Sequence, residues 1–297
     1  MTQRIIQVSD LHLSGEFPLF LHNWRALARR IRGLAPDLVL ATGDLALAEP
    51  DRADDLRFAR AELDALGCPV RVLPGNHDVG ECDPATGVGL GEQKPVTSAR
   101  LAQFTRLAGP DCWEERVGRW RLVGVNSQLF GTGLPEESAQ WDFIERALRP
   151  LRDDSGPILV THKPLHAPEQ GAAAPGRAIP PRDSQRLVDL MREAGGHLVM
   201  SGHMHRWKSY EARGLNHVWA PSTAFISTQS GHAERGGASV VGMLTWNLAE
   251  EALTHSLESD FRLITHDIRN WAAPGGNALW TIVNEPSAAG AARAGRS

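Results

Sequence analysis

The residues best able to do chemistry fall into five short polar clusters: Asp10-x-His12, Gly43-Asp44, Gly75-Asn76-His77-Asp78, His162 and Gly202-His203-x-His205. Imidazole, carboxylate and amide oxygen are metal donors, and without thiolates among them the set suits Mn, Fe or Zn. A lone Asp-x-His or a lone Gly-Asn-His-Asp carries little weight. All five in order, each directly behind a short apolar run, carry much more. Ile5-Ile6-Gln7-Val8 precedes Asp10, and Leu38-Val39-Leu40-Ala41 precedes Asp44. Val70-Arg71-Val72-Leu73 precedes Asn76, Ile158-Leu159-Val160 precedes His162, and His197-Leu198-Val199-Met200 precedes His203.

Such runs, rich in Val, Ile and Leu, read as buried strands. Open α/β sheets place ligands outside the carboxyl ends of their strands, so the five clusters are expected to converge on one spot. Strands are expected at 4–8, 38–41, 70–73, 120–125, 158–161 and 197–200. Helices are expected near 20–33, 51–66, 97–108, 136–151 and 183–194. Thr97 or Ser98 is a plausible N-cap. Trp141, Ile144, Leu148 and Leu151 form one stripe of the fourth helix. After His205 the pattern changes to strand-like segments at 216–220, 238–247 and 252–257 with no helices between them, which suggests a second, antiparallel sheet packed on the first. The expected fold is α/β, a four-layer α/β/β/α sandwich. Segments 79–96, 164–182 and 206–236 are long, Gly/Pro-rich and begin beside candidate ligands, so at least one is expected to form a lid or substrate rim.

Composition narrows the function further. The chain has 297 residues, 42% hydrophobic and 22% charged, as in an ordinary globular protein. A net charge of -4 gives no electrostatic reason to expect membrane or general nucleic-acid binding. Cys68, Cys82 and Cys112 are too sparse and irregular for a disulfide framework and read as reduced thiols of a cytoplasmic protein. The first strand starts too early to leave room for a signal peptide, and no apolar stretch approaches a membrane span.

The ordered set resembles the calcineurin-like metallophosphoesterase superfamily, whose pattern is D-x-H, G-D, G-N-H-D/E, H and G-H-x-H. The resemblance covers about residues 4–206. It implies one phosphoesterase domain over 1–268, a C-terminal extension at 269–287 and a disordered tail at 288–297. It implies two metal ions: Asp10, His12 and His205 on one, Asn76, His162 and His203 on the other, Asp44 bridging. It also implies that His77 contacts the phosphoryl oxygen or protonates the leaving group, and that Asp78 orients His77. The implied reaction is hydrolysis of a phosphoester by metal-activated hydroxide.

Protein phosphatases of the calcineurin type carry G-D-x-x-D-R-G, where this chain has Gly43-Asp44-Leu45-Ala46-Leu47. Purple acid phosphatases place a tyrosine three residues after the G-D aspartate, where this chain has Leu47. The chain is closer to class III cyclic-nucleotide phosphodiesterases and to the calcineurin-like phosphoesterase domain-containing proteins. A small-molecule or nucleotide phosphodiester is therefore the leading substrate and a phosphomonoester the alternative. A DNA nuclease and a catalytically silent interaction module fit less well. Asn126, His166 and Arg206 are candidate substrate contacts.

Overall fold

The computed structural model describes residues 2–47, 50–82, 94–151, 155–167, 176–227, 236–250, 252–260 and 262–267. The expected extension and tail lie outside these residues, as do parts of all three long loops.

Two sheets face each other. One holds β1 (Gln3–Val8), β2 (Leu38–Thr42), β3 (Val70–Leu73), β11 (Met243–Leu248) and β12 (Leu253–Glu258), in the order β12-β11-β1-β2-β3. The other holds β4 (Trp113–Val117), β5 (Trp120–Gly124), β6 (Pro157–Val160), β7 (Leu198–Ser201), β8 (Lys208–Ala212) and β9 (Leu215–Trp219), in the order β4-β5-β6-β7-β9-β8. A short pair, β10 (Phe225–Ile226) with β13 (His266–Asp267), lies apart.

The period-two pattern of the strands explains the layering. Ile5, Leu38 and Leu40 share a buried cluster with Leu122, Ile158, Val160, Leu198, Met200 and Trp246, so this cluster is the seam between the sheets. Their chain neighbours Ile6, Val39 and Ala41 pack instead with Trp24, Leu27, Leu56, Leu63 and Phe104. Those five come from helices α1 (Leu21–Leu34), α2 (Ala53–Asp64) and α4 (Ser98–Ala108). On the far side Val123, Leu159 and Val199 pack with Ile144, Leu187 and Met191, from α5 (Pro135–Ala147) and α6 (Pro181–Glu193). The four layers are helix, sheet, sheet, helix. A four-residue helix, α3 (Asn76–Val79), sits at the end of β3.

Local chemistry sets several helix ends. Thr97, the N-cap of α4, accepts a hydrogen bond from the Arg100 amide at 3.2 Å. Pro135 and Pro181 open α5 and α6, where a missing N–H costs nothing. The fourth expected helix ends earlier than its apolar stripe: α5 stops at Ala147, ahead of Pro150, and Leu151 is exposed.

The sheet assignment differs from the expectation. The C-terminal strands do not build a sheet of their own. β11 runs antiparallel to β1, pairing Gln3 with Leu248 and Ile5 with Trp246, while β9 runs parallel to β7, pairing Leu198 with Asn216. The N-terminal strands are split instead, β1–β2–β3 in one sheet and β5–β6–β7 in the other. Periodicity reports which face of a strand is buried and carries no information on its neighbour. The edge strands β4 and β8, absent from the expected set, carry charged residues, as exposed edges do.

Buried His217 on β9 makes a checkable contribution to stability. Its Nε2 lies 3.2 Å from the Ala212 carbonyl, and its ring stacks on Tyr210 at 5.0 Å. Burial lowers its pKa to about 4, helped by the positive fields of His166 and Arg213 and opposed by the Ala212 carbonyl. The folded value lies below the ordinary one, so below pH 6.5 the unfolded chain takes up a proton that the folded chain refuses. Stability is lost as pH falls from 6.5 towards 4, by about 2–3 kcal/mol from this residue at pH 4.5. His217→Gln is expected to lose less stability than wild type between pH 7 and 4.5, measured by urea unfolding. Equal losses would show that His217 is not held neutral.

Candidate metal centre

All seven candidate ligands leave the carboxyl ends of parallel strands. Asp10 and His12 follow β1, Asp44 follows β2 and Asn76 follows β3 in one sheet, while His162 follows β6 and His203 and His205 follow β7 in the other. The site therefore straddles both sheets. The loops are stitched together by backbone bonds: Asp10 N–H to Gly43 O at 2.9 Å, His12 N–H to Asp44 O at 3.0 Å, and Gly202 N–H to His162 O at 2.9 Å.

Two donor groups result. Asp10, His12, Asp44 and His205 bring one ligand atom each within 4.8 Å of one another, and so do Asp44, His162 and His203. Asp44 belongs to both. Its Oδ2 lies 3.8 Å from His12 Nε2 and 3.5 Å from His162 Nε2, while its Oδ1 accepts the His77 amide at 2.9 Å. Asn76 Oδ1 lies 3.3 Å from His162 Nε2 and joins the second group.

The tautomers support a cation site. His162 Nδ1 faces the Thr42 carbonyl at 2.7 Å, and His205 Nδ1 faces the Phe225 carbonyl at 3.0 Å. A carbonyl only accepts, so each Nδ1 carries a proton and each Nε2 faces inward, that of His205 toward Asp10, whose charge raises the His205 pKa against burial. Those nitrogens meet other potential ligand atoms: His12 Nε2 lies 3.3 Å from His205 Nε2, and His203 Nδ1 lies 3.1 Å from His162 Nε2. Asp10 Oδ1, 3.2 Å from His205 Nε2, is buried without a hydrogen-bond partner among the described residues. Converging ring nitrogens and a buried carboxylate oxygen without a hydrogen-bond partner are what a bound cation satisfies, so the residues present fit metal.

Burial and charge prepare the donors. Burial, with the fields of His77 and His205, holds His12 well below its ordinary pKa, and burial with the fields of His162 and Lys163 does the same for His203. Neutral imidazole is the ligand form. Burial acts against ionised Asp10, but neighbouring His205 outweighs it and keeps the carboxylate charged.

The local backbone is bent to fit. Asp10, His12, Asp44, His203 and His205 all have positive φ, between 46° and 65°. Left-handed backbone at residues other than glycine costs about 1–3 kcal/mol each and clusters at functional sites. The motif glycines have a different cause. A Cβ on Gly75 would stand 2.1 Å from Asp44 Oδ1, and one on Gly43 would stand 2.3 Å from His162 Nδ1. Each glycine is the gap through which a ligand from another loop reaches the centre.

Asp78 is buried, and its carboxylate accepts the amides of Leu45 at 3.0 and 3.1 Å, Ala46 at 3.0 Å and Gly75 at 2.8 Å. It clamps the turn carrying Asp44 to the turn carrying Asn76 and His77. Burial and the nearby Asp44 charge raise its pKa to about 7, against those three amides. His77 is half-buried, its ring edge-on to His12 at 4.8 Å.

The three candidate substrate contacts are placed differently. Arg206 is turned into the scaffold: Nε donates to Gly236 O at 2.7 Å, Nη1 to Ser239 Oγ at 2.5 Å and Nη2 to Gly237 O at 3.0 Å. Asn126 donates to Asp111 at 2.9 Å and accepts the Gln128 amide at 2.9 Å, which shapes its own loop. His166 is half-buried, and its carbonyl accepts the Tyr210 hydroxyl at 2.6 Å. His166 belongs to neither donor group among the described residues. Sequence reasoning did not find the Thr42 and Phe225 carbonyls, which any residue type could supply. It also missed the buried pair Lys163–Glu81. A lysine directly after a candidate ligand, in a chain with three lysines, was the available signal.

A four-layer α/β sandwich with buried metal donors at the strand ends defines a metal-dependent hydrolase class. The calcineurin-like phosphoesterase family model matches residues 3–207, and the chain belongs to that family of phosphoester hydrolases. A probable cyclic nucleotide phosphodiesterase of Synechococcus is 27% identical over 233 residues, 75% of this chain and 82% of that one. The bovine serine/threonine-protein phosphatase CPPED1 is 25% identical over 194 residues, 62% and 58% of the two chains. The crystal structure of a dimetal phosphatase from Danio rerio shares the fold with TM-score 0.57 at 13% identity, covering 86% of this chain and 96% of that one. No helix among the described residues is long and apolar enough to cross a membrane.

Gly75→Ala tests the close approach. A methyl 2.1 Å from Asp44 Oδ1 must displace the shared carboxylate. The variant is expected to keep its far-ultraviolet circular dichroism while binding Mn about tenfold or more weakly in calorimetric titration, as outer changes at metal sites do. Unchanged Mn affinity would show that the gap at Gly75 does not set the position of Asp44.

Proposed function

We propose that this chain is a dinuclear metallohydrolase acting on phosphodiesters of small molecules or nucleotides, within one domain spanning 1–268. The observation that carries this reading is the position of Asp44 between two nitrogen-donor groups. Asp10, His12 and His205 would hold one ion, and Asn76, His162 and His203 the other. The nitrogen and oxygen donors suit Mn, Fe or Zn. Ions bound there supply Lewis acidity, lowering the pKa of water and offsetting charge on a phosphoryl group.

The rest is the work of side chains. Asp44 would be shared by the two ions and screen them from each other. His77 stands beside the donors, its amide spent on Asp44. Its ring would hydrogen-bond the phosphoryl oxygen and hand a proton to the departing oxygen. Asp78 serves His77 through the backbone, by locking the turn that presents it. The diester reading is supported by the names of the Synechococcus relative and of a second probable cyclic nucleotide phosphodiesterase, from Moraxella catarrhalis. The phosphomonoester reading draws on the bovine phosphatase.

Metal analysis tests the centre. Wild-type protein reconstituted with Mn is expected to hold more than one equivalent. Asp44→Asn is expected to weaken both sites and abolish hydrolysis. Wild-type turnover in Asp44→Asn would remove the shared-ligand assignment.

Substrate class and the role of His77 are tested together, by rates on bis-p-nitrophenyl phosphate, p-nitrophenyl phosphate and cyclic AMP. Wild type is expected to prefer the diesters, and a preference for the monoester would decide for a phosphatase. His77→Ala is expected to keep its metals and lose about 10²–10⁴-fold in rate, the usual worth of general acid help. The loss should be larger for the alkoxide leaving group of cyclic AMP than for nitrophenolate. Equal losses would leave His77 as an electrostatic contact, and a lost metal would refute its assignment.

A further inference from the structure

Lys163 directly follows the candidate ligand His162 and is 0% exposed, and Glu81, five residues after Asn76, is 1% exposed. Lys163 Nζ donates to Glu81 Oε1 and lies 3.5 Å from Cys82 Sγ. Desolvating two charges consumes most of their attraction, and an apolar pair of equal volume often stabilises a fold as well. Stability alone gives little reason for such a pair, whereas the geometry it imposes does.

Both ends are anchored. The Glu81 backbone is held by its amide on Lys94 O at 2.7 Å and its carbonyl under the Val96 amide at 3.2 Å. The Lys163 amide donates to Ser127 Oγ at 2.9 Å, and its carbonyl accepts the Thr161 hydroxyl at 2.7 Å. The ion pair thus ties the segment behind α3, which carries Asn76, to the loop behind β6, which carries His162. Asn76 Oδ1 and His162 Nε2 stand 3.3 Å apart although 86 positions separate them in the chain. Asp10, His12 and His205 lie on neither segment, and His203, which also lies on neither, meets the tied pair through its Nδ1, 3.1 Å from His162 Nε2.

We propose that the Lys163–Glu81 pair positions the Asn76–His162–His203 half of the centre and sets how tightly that half holds its cation. This rests on the dinuclear reading above.

The test is Mn titration of the full chain by calorimetry and electron paramagnetic resonance. Single removals leave an uncompensated buried charge, so the main variant is the neutral double, Glu81→Gln with Lys163→Met. It is expected to keep one Mn site at wild-type affinity and to weaken the other about 10–100-fold, the usual effect of outer partners of metal ligands. Glu81→Asp keeps the charge but withdraws the carboxylate by one methylene. It is expected to weaken the same site selectively, and it decides the question if the double variant does not fold. Wild-type affinity at both sites, or equal weakening of both as general loosening would give, overturns the proposal. Wild-type protein that binds fewer than two Mn would instead refute the dinuclear reading, so the two failures are distinguishable.

Discussion

Asp44 sets a carboxylate, 2% exposed, between two groups of nitrogen donors, and that placement makes heavy demands on the chain around it. A buried charge needs partners, and this one has the His77 amide on one oxygen and two imidazoles facing the other. For both donor groups to reach it, the ends of β1, β2 and β3 must meet the ends of β6 and β7. A single open sheet puts its strand ends in a line. Two sheets packed face to face bring two lines of strand ends side by side, with a shared carboxylate between them. The seam of Ile5, Leu40, Ile158 and Met200 is therefore as much a part of the site as the ligands are.

The cost of this convergence is visible in the backbone. Five of the seven candidate ligands occupy left-handed conformations. A helical or extended residue at these positions would send its side chain elsewhere. Bonds between loops help hold the strain: Asp10 to Gly43, His12 to Asp44, Gly202 to His162, and the Leu45 and Ala46 amides on Asp78. Each loop is the scaffold for the next, so the cluster behaves as one unit instead of five turns. This also accounts for the motif glycines beside Asp44 and Asn76, which are close-approach points between loops.

The contrast with the sequence reading follows from the same physics. The convergence of Asp10, Asp44, Asn76, His162 and His203 could be read because each candidate ligand follows a run of apolar residues, a strictly local pattern. The partnership of β11 with β1 could not be read, because Ile5 and Trp246 pair across 241 positions with nothing local to signal it. Arg206 looked like a phosphate contact by its charge and its place beside His205, yet its guanidinium closes a loop on three acceptors. Leu151 continued a helical stripe that Pro150 cuts short. Residue type indicates which bonds are available, and only the tertiary fold decides which are made.

Electrostatics connects the fold to the chemistry. Asp10, Asp44 and Asp78 place three buried carboxyl groups in one centre, and the raised pKa of Asp78 reflects burial together with the Asp44 charge. Around them His12 and His203 are held neutral by burial. Such a constellation gains little on its own from being buried: its donors face one another, and its anions lie in a medium that penalises charge. Bound cations would reverse both terms at once, which would couple metal binding to the stability of these loops. The strain in the five ligand backbones belongs to the same balance. Geometry that is unfavourable for the empty polypeptide would then serve as a preorganised receptor for cations.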